Sequence, residues 1–145
     1  MGSSTTDGSY RTPSFEHALV ADAMRSGIFS CPADARLREA ARTMAMHHVH
    51  TVVVSDPLNG SPLGTLSDST LVAALLDSDG DGQRLGELAD RDLFMISANQ
   101  PLVAAAELMR ERGIAHLLVR DPESGRPTGM LSTLDVAGIL AWGEA

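Results

Sequence analysis

The sequence predicts an α+β fold, of mixed α/β type, built from two β-α-β-β-α repeats that pack sheet to sheet. Residues 129–135, with the sequence GMLSTLD, have a near copy 65 positions earlier in residues 64–70, GTLSDST. In each copy a short apolar run that begins with Gly is typical of a strand, and apolar residues at helical spacing follow the Ser. The same offset of 65 relates the preceding strand, helix and turn without a gap. A register maintained over this length indicates duplication of one unit.

The first repeat begins with a helix, a short strand and a second helix. Residues 15–25 place apolar side chains at helical spacing and predict a short leading helix. Residues 28–31 predict a strand that ends at Pro32. Asp34 is the predicted N-cap of the next helix. The apolar face of that helix consists of Leu37, Ala40, Ala41 and Met44.

A hairpin and a further helix complete each repeat. In the first repeat, residues 49–54 are rich in β-branched side chains and predict a strand, which a turn at 56–60 leads into a second strand at 63–67. Residues 70–76 predict the last helix. The predicted boundaries are a disordered leader at 1–14, the first repeat with its leading helix at 15–76, an acidic linker at 77–83, the second repeat at 84–141 and a tail at 142–145.

Composition and charge narrow the classes of function. The net charge is −8 and the 11 basic residues, all Arg, form no cluster, so nucleic acid is not expected as a partner. No apolar run approaches the roughly 18 residues of a membrane span, and we expect a cytoplasmic protein. The single cysteine, Cys31, excludes an internal disulfide and agrees with a reducing compartment.

The repeated heptapeptide has its clearest chemistry in the second copy. Ser132 is a predicted N-cap, and the free N–H groups and macrodipole of a helix start attract anions such as phosphate. Asp135 lies one helical turn later, where its carboxylate could accept hydrogen bonds from both hydroxyls of a ribose. The alternative is that Ser-x-x-Asp is a capping box in which Asp135 satisfies only its own helix.

Three motifs together resemble a known family. They are the Val/Ile-x-His/Thr-x-x-Val strand, the Asp-Pro-x-x-Gly turn and the sequence Gly-h-h-Ser-x-x-Asp, where h is hydrophobic. In this order, and twice in tandem over residues 17–141, they resemble the CBS domain and a CBS pair, or Bateman module. The resemblance implies a stand-alone regulatory module that binds an adenosine-containing ligand, such as AMP, ADP, ATP, S-adenosylmethionine or NAD, in the cleft between the repeats, and that forms a homodimer.

By resemblance, the second repeat carries the more complete ligand site. Ser132 would lie near the phosphate and Asp135 on the ribose, and His116 stands where family members place a basic phosphate contact. An ordinary half-buried strand histidine explains His116 equally well, since a neutral imidazole attracts phosphate weakly. The residues expected around the base are Ile96, Ser97 and Ile114.

The first repeat departs from the pattern because Thr70 stands where the second repeat has Asp135. Asp68 is two residues earlier and faces another side of the helix, so we do not expect it to substitute. The residues of this second, weaker site would be Ser67, Thr70, His50, Val49 and Cys31. A cysteine such as Cys31 is more often a small core residue than a reactive one.

The sequence predicts neither a metal site nor a catalytic function. Residues 77–82, DSDGDG, match the first half of an EF-hand loop, but the twelfth position is Leu88 and the bidentate Glu is absent; a flexible acidic linker explains them. His47, His48 and His50 are zinc-type ligands whose adjacent positions diverge on a helix or strand. No catalytic motif is present, so an enzyme is not expected. The alternative function is a CBS scaffold without ligand that serves dimerisation or a protein partner.

Overall fold

The computed structural model describes residues 12–77 and 82–144. These residues form two compact units. Residues 28–93 make up what we call the first-repeat unit, and residues 12–27 together with 94–144 make up the second-repeat unit. Among the described residues, no helix is long and apolar enough to cross a bilayer.

The order of elements within each repeat is the predicted β-α-β-β-α. The helices are α1 (Val20–Ala23), α2 (Leu37–His47), α3 (Asp68–Asp77), α4 (Leu85–Leu88), α5 (Leu102–Arg112) and α6 (Thr133–Trp142). The strands are β1 (Arg25–Ser26), β2 (Ser30–Pro32), β3 (Thr51–Ser55), β4 (Pro62–Ser67), β5 (Met95–Ser97), β6 (His116–Arg120) and β7 (Pro127–Ser132). The structure adds the short elements β1 and α4, which were not predicted. The first-repeat unit contains the sheet β2-β3-β4, and the second-repeat unit contains the sheet β1-β7-β6-β5.

The predicted duplication is confirmed in the bounds of the elements. Adding 65 to the bounds of β2, α2, β3, β4 and α3 gives those of β5, α5, β6, β7 and α6. The irregularity in the β3–β4 pairing after Val54 recurs in the β6–β7 pairing after Val119. Both repeats are therefore β-α-β-β-α units with a parallel outer pair and an antiparallel hairpin.

Each unit has its own apolar core of aliphatic side chains. In the first-repeat unit, Leu37, Val52 and Leu66 are at most 2% exposed, and Leu102, Leu117 and Leu131 are fully buried at equivalent positions of the second-repeat unit. The alternation of buried and exposed residues along β4 and β7 directs every second side chain to this core. The cores fix the strand ends from which α3 and α6 begin.

The leading segment of each repeat, which precedes its first core strand, packs in the unit that contains the other repeat. Arg25 of β1 pairs with Met130 of β7, and the isolated bridge between Asp90 and Thr65 is the same pairing displaced by 65 residues. Val20 in α1 and Leu85 in α4 are both 0% exposed, each in the core of the unit that its segment joins. The sequence-based domain boundaries place the leading helix with the first repeat, whereas in the structure it packs with the second.

Two local predictions are wrong. The leading helix predicted over residues 15–25 is only the four residues of α1, and Arg25 already belongs to a strand, because hydrogen bonds to β7 compete with continuation of the helix. The predicted N-cap Asp34 is not used: α2 begins after Arg36, whose backbone is extended and bridges Arg84. The linker residues 78–81, which include most of the EF-hand-like sequence, lie outside the described residues.

Candidate functional site

The N-terminus of α6 has the hydrogen-bond pattern of a capping box. The backbone N–H of Asp135 donates to Ser132 Oγ at 3.1 Å, and the backbone N–H of Ser132 donates to Asp135 Oδ2 at 2.8 Å. Ser132 has extended backbone angles and is the N-cap of the helix. The two side chains thus satisfy two of the free N–H groups at this helix end, as the capping alternative predicts.

The second carboxylate oxygen of Asp135 faces a cation. Nε of Arg25 lies 3.6 Å from Asp135 Oδ1, and the side chains of the two residues are 62% and 11% exposed, respectively. A largely covered carboxylate is therefore held between the start of its own helix and a guanidinium from β1. The arrangement keeps one oxygen oriented by the backbone while the other contacts a group that solvent can reach.

An open groove of about 570 Å³ runs beside this pair. Arg25 and Asp135 line it together with the exposed Leu134 and Trp142 of α6 and Asp22 of α1. Its size is within the range typical of small-molecule sites, about 300–1,000 Å³. Aromatic, cationic and anionic groups thus meet along one groove of the second-repeat unit, which is the chemistry needed to hold a polar molecule with an apolar face.

His116 and Ile114 lie near the start of α6 but are not part of this groove. His116, at the start of β6, is directly opposite Ser132 in β7. Thr133 donates its N–H to the carbonyl of Ala115, which attaches the helix start to the same region of β6. Ile114 is half-buried against the core. The structure therefore brings His116 close to Ser132 in the sheet, and their predicted contacts with ligand stay predictions.

Ile96 and Ser97 lie deeper in the unit than the sequence suggests. Their side chains are 8% and 7% exposed, Ile96 belongs to the core, and Ser97 Oγ donates to Asn99 Oδ1 at 2.8 Å. Ser97 pairs with Arg120, four residues along β6 from His116, a separation of about 13 Å in a strand. Neither residue lines the groove, and their predicted contact with a base stays a prediction.

The first repeat ends in hydroxyl groups where the second has a carboxylate. Ser67 Oγ donates to Thr70 Oγ1 at 3.1 Å and accepts from the backbone N–H of Thr70 at 3.3 Å. A third hydroxyl, Ser69 Oγ, lies 3.0 Å from Ser67 Oγ. Three neutral hydroxyls that bond to one another can accept from a ribose less strongly than an ionised carboxylate. The expectation of a weaker second site stays a prediction.

Asp68 and His50 form a hydrogen-bonded pair next to these hydroxyls. His50 Nδ1 lies 2.7 Å from Asp68 Oδ2, and the backbone N–H of Asp68 donates to the carbonyl of His50 at 2.8 Å. The hydrogen bond from His50 lowers the pKa of Asp68, and the positive charge of the imidazolium lowers it further. The carboxylate of Asp68 is thus engaged with His50, in agreement with the expectation that it does not replace the missing carboxylate at Thr70.

The remaining residues predicted for the weaker site contribute to the core. Cys31 is 4% exposed, and its Sγ lies 3.6 Å from Thr43 Oγ1. Val49 is half-buried against the same core. Across residues 12–77 and 82–144, no group of three or more His, Cys, Asp or Glu side chains is arranged to hold a metal ion.

A profile of the CBS domain family matches residues 20–77 and 85–141, most of the chain. The chain belongs to the CBS domain family. The two matched ranges correspond to the two repeats, so the family assignment predicted from the repeated motifs is confirmed.

Solved CBS structures share the fold. The CBS domain of a bacterial CNNM/CorC family Mg2+ transporter in complex with ATP superposes with a TM-score of 0.76 and 17% identity, over 90% of this chain and 92% of that chain. The CBS domain pair of protein MJ0100 in complex with 5′-methylthioadenosine and S-adenosyl-L-methionine superposes with a TM-score of 0.75 and 18% identity, over 86% of this chain and 96% of that chain. At these identities the similarity shows the tandem CBS fold.

One curated relative is a much longer protein. A homoserine O-acetyltransferase from Methanocorpusculum labreanum is 32% identical over 136 residues, which are 92% of this chain. The chain spans only 26% of that relative's length. The activity of the whole relative is therefore not assigned to these two CBS repeats.

The motifs of the sequence do not indicate that Arg25 lies beside Asp135 at the candidate site. Arg25 and Asp135 are 110 positions apart, and no motif links them. They meet because β1 pairs antiparallel with β7, with Arg25 opposite Met130. The offset of 65 that relates Arg25 to Asp90 is the signal in the sequence that could have indicated a leading strand in each CBS repeat.

The pKa of Asp68 gives a pH dependence that can be tested. Because the folded-state pKa lies below the ordinary value of 3.8, the pair stabilises the fold above that pH and loses its effect as the pH falls through the lowered pKa. We expect Asp68→Asn to remove a contribution of about 0.5 kcal/mol, small because the pair is exposed. This contribution is measured by urea unfolding of both proteins between about pH 2 and pH 6, the range in which a carboxylate titrates.

A change at His50, the hydrogen-bond partner of Asp68, provides the matched variant. His50→Ala should likewise weaken the dependence of stability on pH in this range, since it removes the hydrogen bond that lowers the pKa of Asp68. Parallel acid limbs for the wild type and Asp68→Asn would contradict the pairing.

Proposed function

We propose that this chain is a regulatory CBS module that binds an adenosine-containing ligand in its second repeat, with Asp135 on the ribose and the start of α6 near the phosphate. The single observation that carries the proposal is the carboxylate of Asp135. It is 11% exposed on its side chain, oriented by the backbone N–H of Ser132 and next to a groove. A carboxylate in this position is pre-organised for the paired hydroxyls of a sugar.

The helix start supplies the complementary group for an anion. Ser132 is the N-cap of α6, and the first-turn N–H groups and macrodipole favour negative charge there. Solved CBS structures with ATP, or with 5′-methylthioadenosine and S-adenosyl-L-methionine, support a ligand of this class. We propose regulation rather than catalysis. Regulation requires only that ligand binding shift a population of conformations, without chemical change in the ligand.

Thermal denaturation with a panel of ligands tests the proposal. AMP, ADP, ATP, S-adenosylmethionine and NAD are each added to the wild type; a ligand at 100 times its Kd stabilises the fold by about 2.7 kcal/mol, a shift of several degrees in Tm. We expect at least one of them to raise the Tm. If none of the five ligands raises the Tm, ligand sensing is contradicted.

Asp135→Ala shows whether the stabilising ligand uses this carboxylate. We expect about a 10- to 100-fold loss of affinity, the value of a hydrogen bond to a charged group. The variant also loses the capping-box hydrogen bond from the backbone N–H of Ser132, which costs about 1 kcal/mol, so each shift is measured against the variant's own unliganded Tm. Thr70→Ala changes the equivalent position of the first repeat and is the matched control, which should retain the affinity of the second-repeat site.

A second candidate function is a scaffold for dimerisation or for a protein partner. It is favoured by exposed apolar side chains on the last helix of each repeat. On α3 these are Val72, Leu75 and Leu76, and on α6 they are Leu134, Leu140 and Trp142. No ligand response in the wild type, together with a dimer in sedimentation velocity, would favour the scaffold over the sensor.

A further inference from the structure

We propose that Arg25 makes the second-repeat site selective for adenosine ligands that carry phosphate, over the neutral nucleoside and over ligands with a cationic sulfonium. The inference rests on the proposed function, because it names the class of ligand for the same site. Its basis is the contact between the guanidinium of Arg25 and the carboxylate of Asp135, at 3.6 Å from Nε to Oδ1.

The backbone that carries Arg25 is held firmly against β7. Arg25 and Ser26 pair with Met130 and Gly129, and the N–H of Gly27 donates to the carbonyl of Thr128 at 2.8 Å. The backbone of Arg25 approaches Gly129 so closely that a Cβ added there would be 2.3 Å from the carbonyl oxygen of Arg25. The origin of the side chain is therefore fixed relative to Asp135, while its guanidinium stays accessible with the side chain 62% exposed.

The chemistry of the pair distinguishes ligands by the group on the 5′ carbon of the sugar. When Asp135 accepts hydrogen bonds from the two ribose hydroxyls, the sugar lies beside the groove that Arg25 lines. The 5′ group is attached to the same sugar ring, so it lies near Arg25. A guanidinium has five N–H donors in a planar fork, and contact of Nε with a carboxylate leaves further donors for a phosphate. A sulfonium has no oxygen that could accept these hydrogen bonds and a neutral hydroxyl gains little from them, while Asp22, a further carboxylate of the groove, offsets the repulsion of a cation.

The first repeat provides an internal contrast. Its residue equivalent to Arg25 is Asp90, which forms the same bridge with Thr65 that Arg25 forms with Met130. At the position equivalent to Asp135, the first repeat has Thr70 instead of a carboxylate. The charges at these two positions are thus +1 and −1 in the second repeat, and −1 and 0 in the first. Only the second repeat has a cation at this position to attract phosphate.

The experiment measures selectivity rather than affinity alone. Adenosine, AMP and S-adenosylmethionine are titrated by calorimetry into the wild type, Arg25→Gln, Arg25→Lys and Arg126→Ala. Arg25→Gln removes the charge but keeps a polar side chain of similar shape, Arg25→Lys keeps the charge, and Arg126 is an exposed Arg of the same unit outside the groove.

In the wild type we expect AMP to bind more tightly than either adenosine or S-adenosylmethionine. Arg25→Gln should lower the affinity for AMP about tenfold, the low end for a hydrogen bond to a charged group, with the affinity for adenosine nearly unchanged. Arg25→Lys should retain most of the preference for AMP, and Arg126→Ala should retain all of it. Because the effect is electrostatic, the preference should also fall with added salt.

Two results would overturn the inference and leave the proposed function intact. One is an equal ratio of AMP to adenosine affinity in the wild type and Arg25→Gln. The other is tighter binding of both ligands to Arg25→Gln, which would make Arg25 a competitor for Asp135 instead of a phosphate contact. If no ligand binds the wild type, the proposed function itself fails, and the inference fails with it.

Discussion

Gly129→Ala should destabilise the protein by about 3 kcal/mol, the upper end of the usual cost of overpacking. A Cβ at this position would be 2.3 Å from the carbonyl oxygen of Arg25, and real Cβ atoms essentially never approach other heavy atoms within 3.0 Å. The obstructing atom is backbone, so no side-chain rotation relieves the contact. Strand β1 must move away from β7, and the pairing of Arg25 and Ser26 is weakened or lost.

Two other glycines make the measurement specific. Gly64→Ala is the equivalent change in the first repeat, with its Cβ 2.4 Å from the carbonyl oxygen of Asp90, and a similar loss is expected. Gly138→Ala, inside α6, meets nothing within 4 Å and should stabilise the helix by about 1 kcal/mol. Denaturant unfolding of the three variants compares them. Equal stability of Gly129→Ala and the wild type would contradict the close approach of β1 to β7.

The duplication could be predicted because it depends on local patterns. Strand alternation, helical spacing and the Asp-Pro-x-x-Gly turns recur at one offset, and the structure repeats each element of the β-α-β-β-α unit at that offset. Even the left-handed residue after the first helix recurs, as His48 with φ 53° and Gly113 with φ 62°. These features are encoded within short windows of sequence, where periodicity is informative.

The leading segments could not be assigned because their partners are distant in sequence. Residues 15–25 have helical spacing, yet only Val20–Ala23 are helical, since the backbone of Arg25 hydrogen-bonds with β7. Propensity is a weak predictor where tertiary hydrogen bonds compete with it. For the same reason, the sequence gives no sign that Arg25 lies beside Asp135.

The motif at the start of α6 illustrates a different limit. Ser132 and Asp135 were predicted from sequence both as a ligand site and as a capping box, and the hydrogen bonds of the capping box are present. The two functions use the same atoms in the same orientation, because a carboxylate that caps a helix with one oxygen keeps further acceptor sites. Sequence therefore predicts the geometry of this group, and ligand titration must establish its use.

Leu85→Ala should destabilise the protein by about 3 kcal/mol, within the range for truncating a buried Leu. Leu85 is 0% exposed in the core of the first-repeat unit, although it lies in the second matched CBS range, residues 85–141. Its backbone N–H donates to the carbonyl of Ala35 at 3.0 Å, as that of Val20 donates to Gln100 at 2.8 Å in the other unit. The side chain thus completes a core that the first repeat alone leaves open.

The strands in which the effect appears show whether α4 packs with the first repeat, as in the structure, or with its own repeat. In Leu85→Ala, hydrogen exchange should become faster in β2 and β4, the strands that α4 contacts, and the free energy of unfolding should fall by the amount expected for a cavity. Leu76→Ala, at a side chain 81% exposed, is the matched control and should change stability by about 0.5 kcal/mol or less. A loss below about 1 kcal/mol, or faster exchange in β6 and β7 instead, would mean that α4 packs with its own repeat. Because α1 and α4 are equivalent by the offset of 65, that result would also weaken the case for β1 as the strand that carries Arg25 to Asp135.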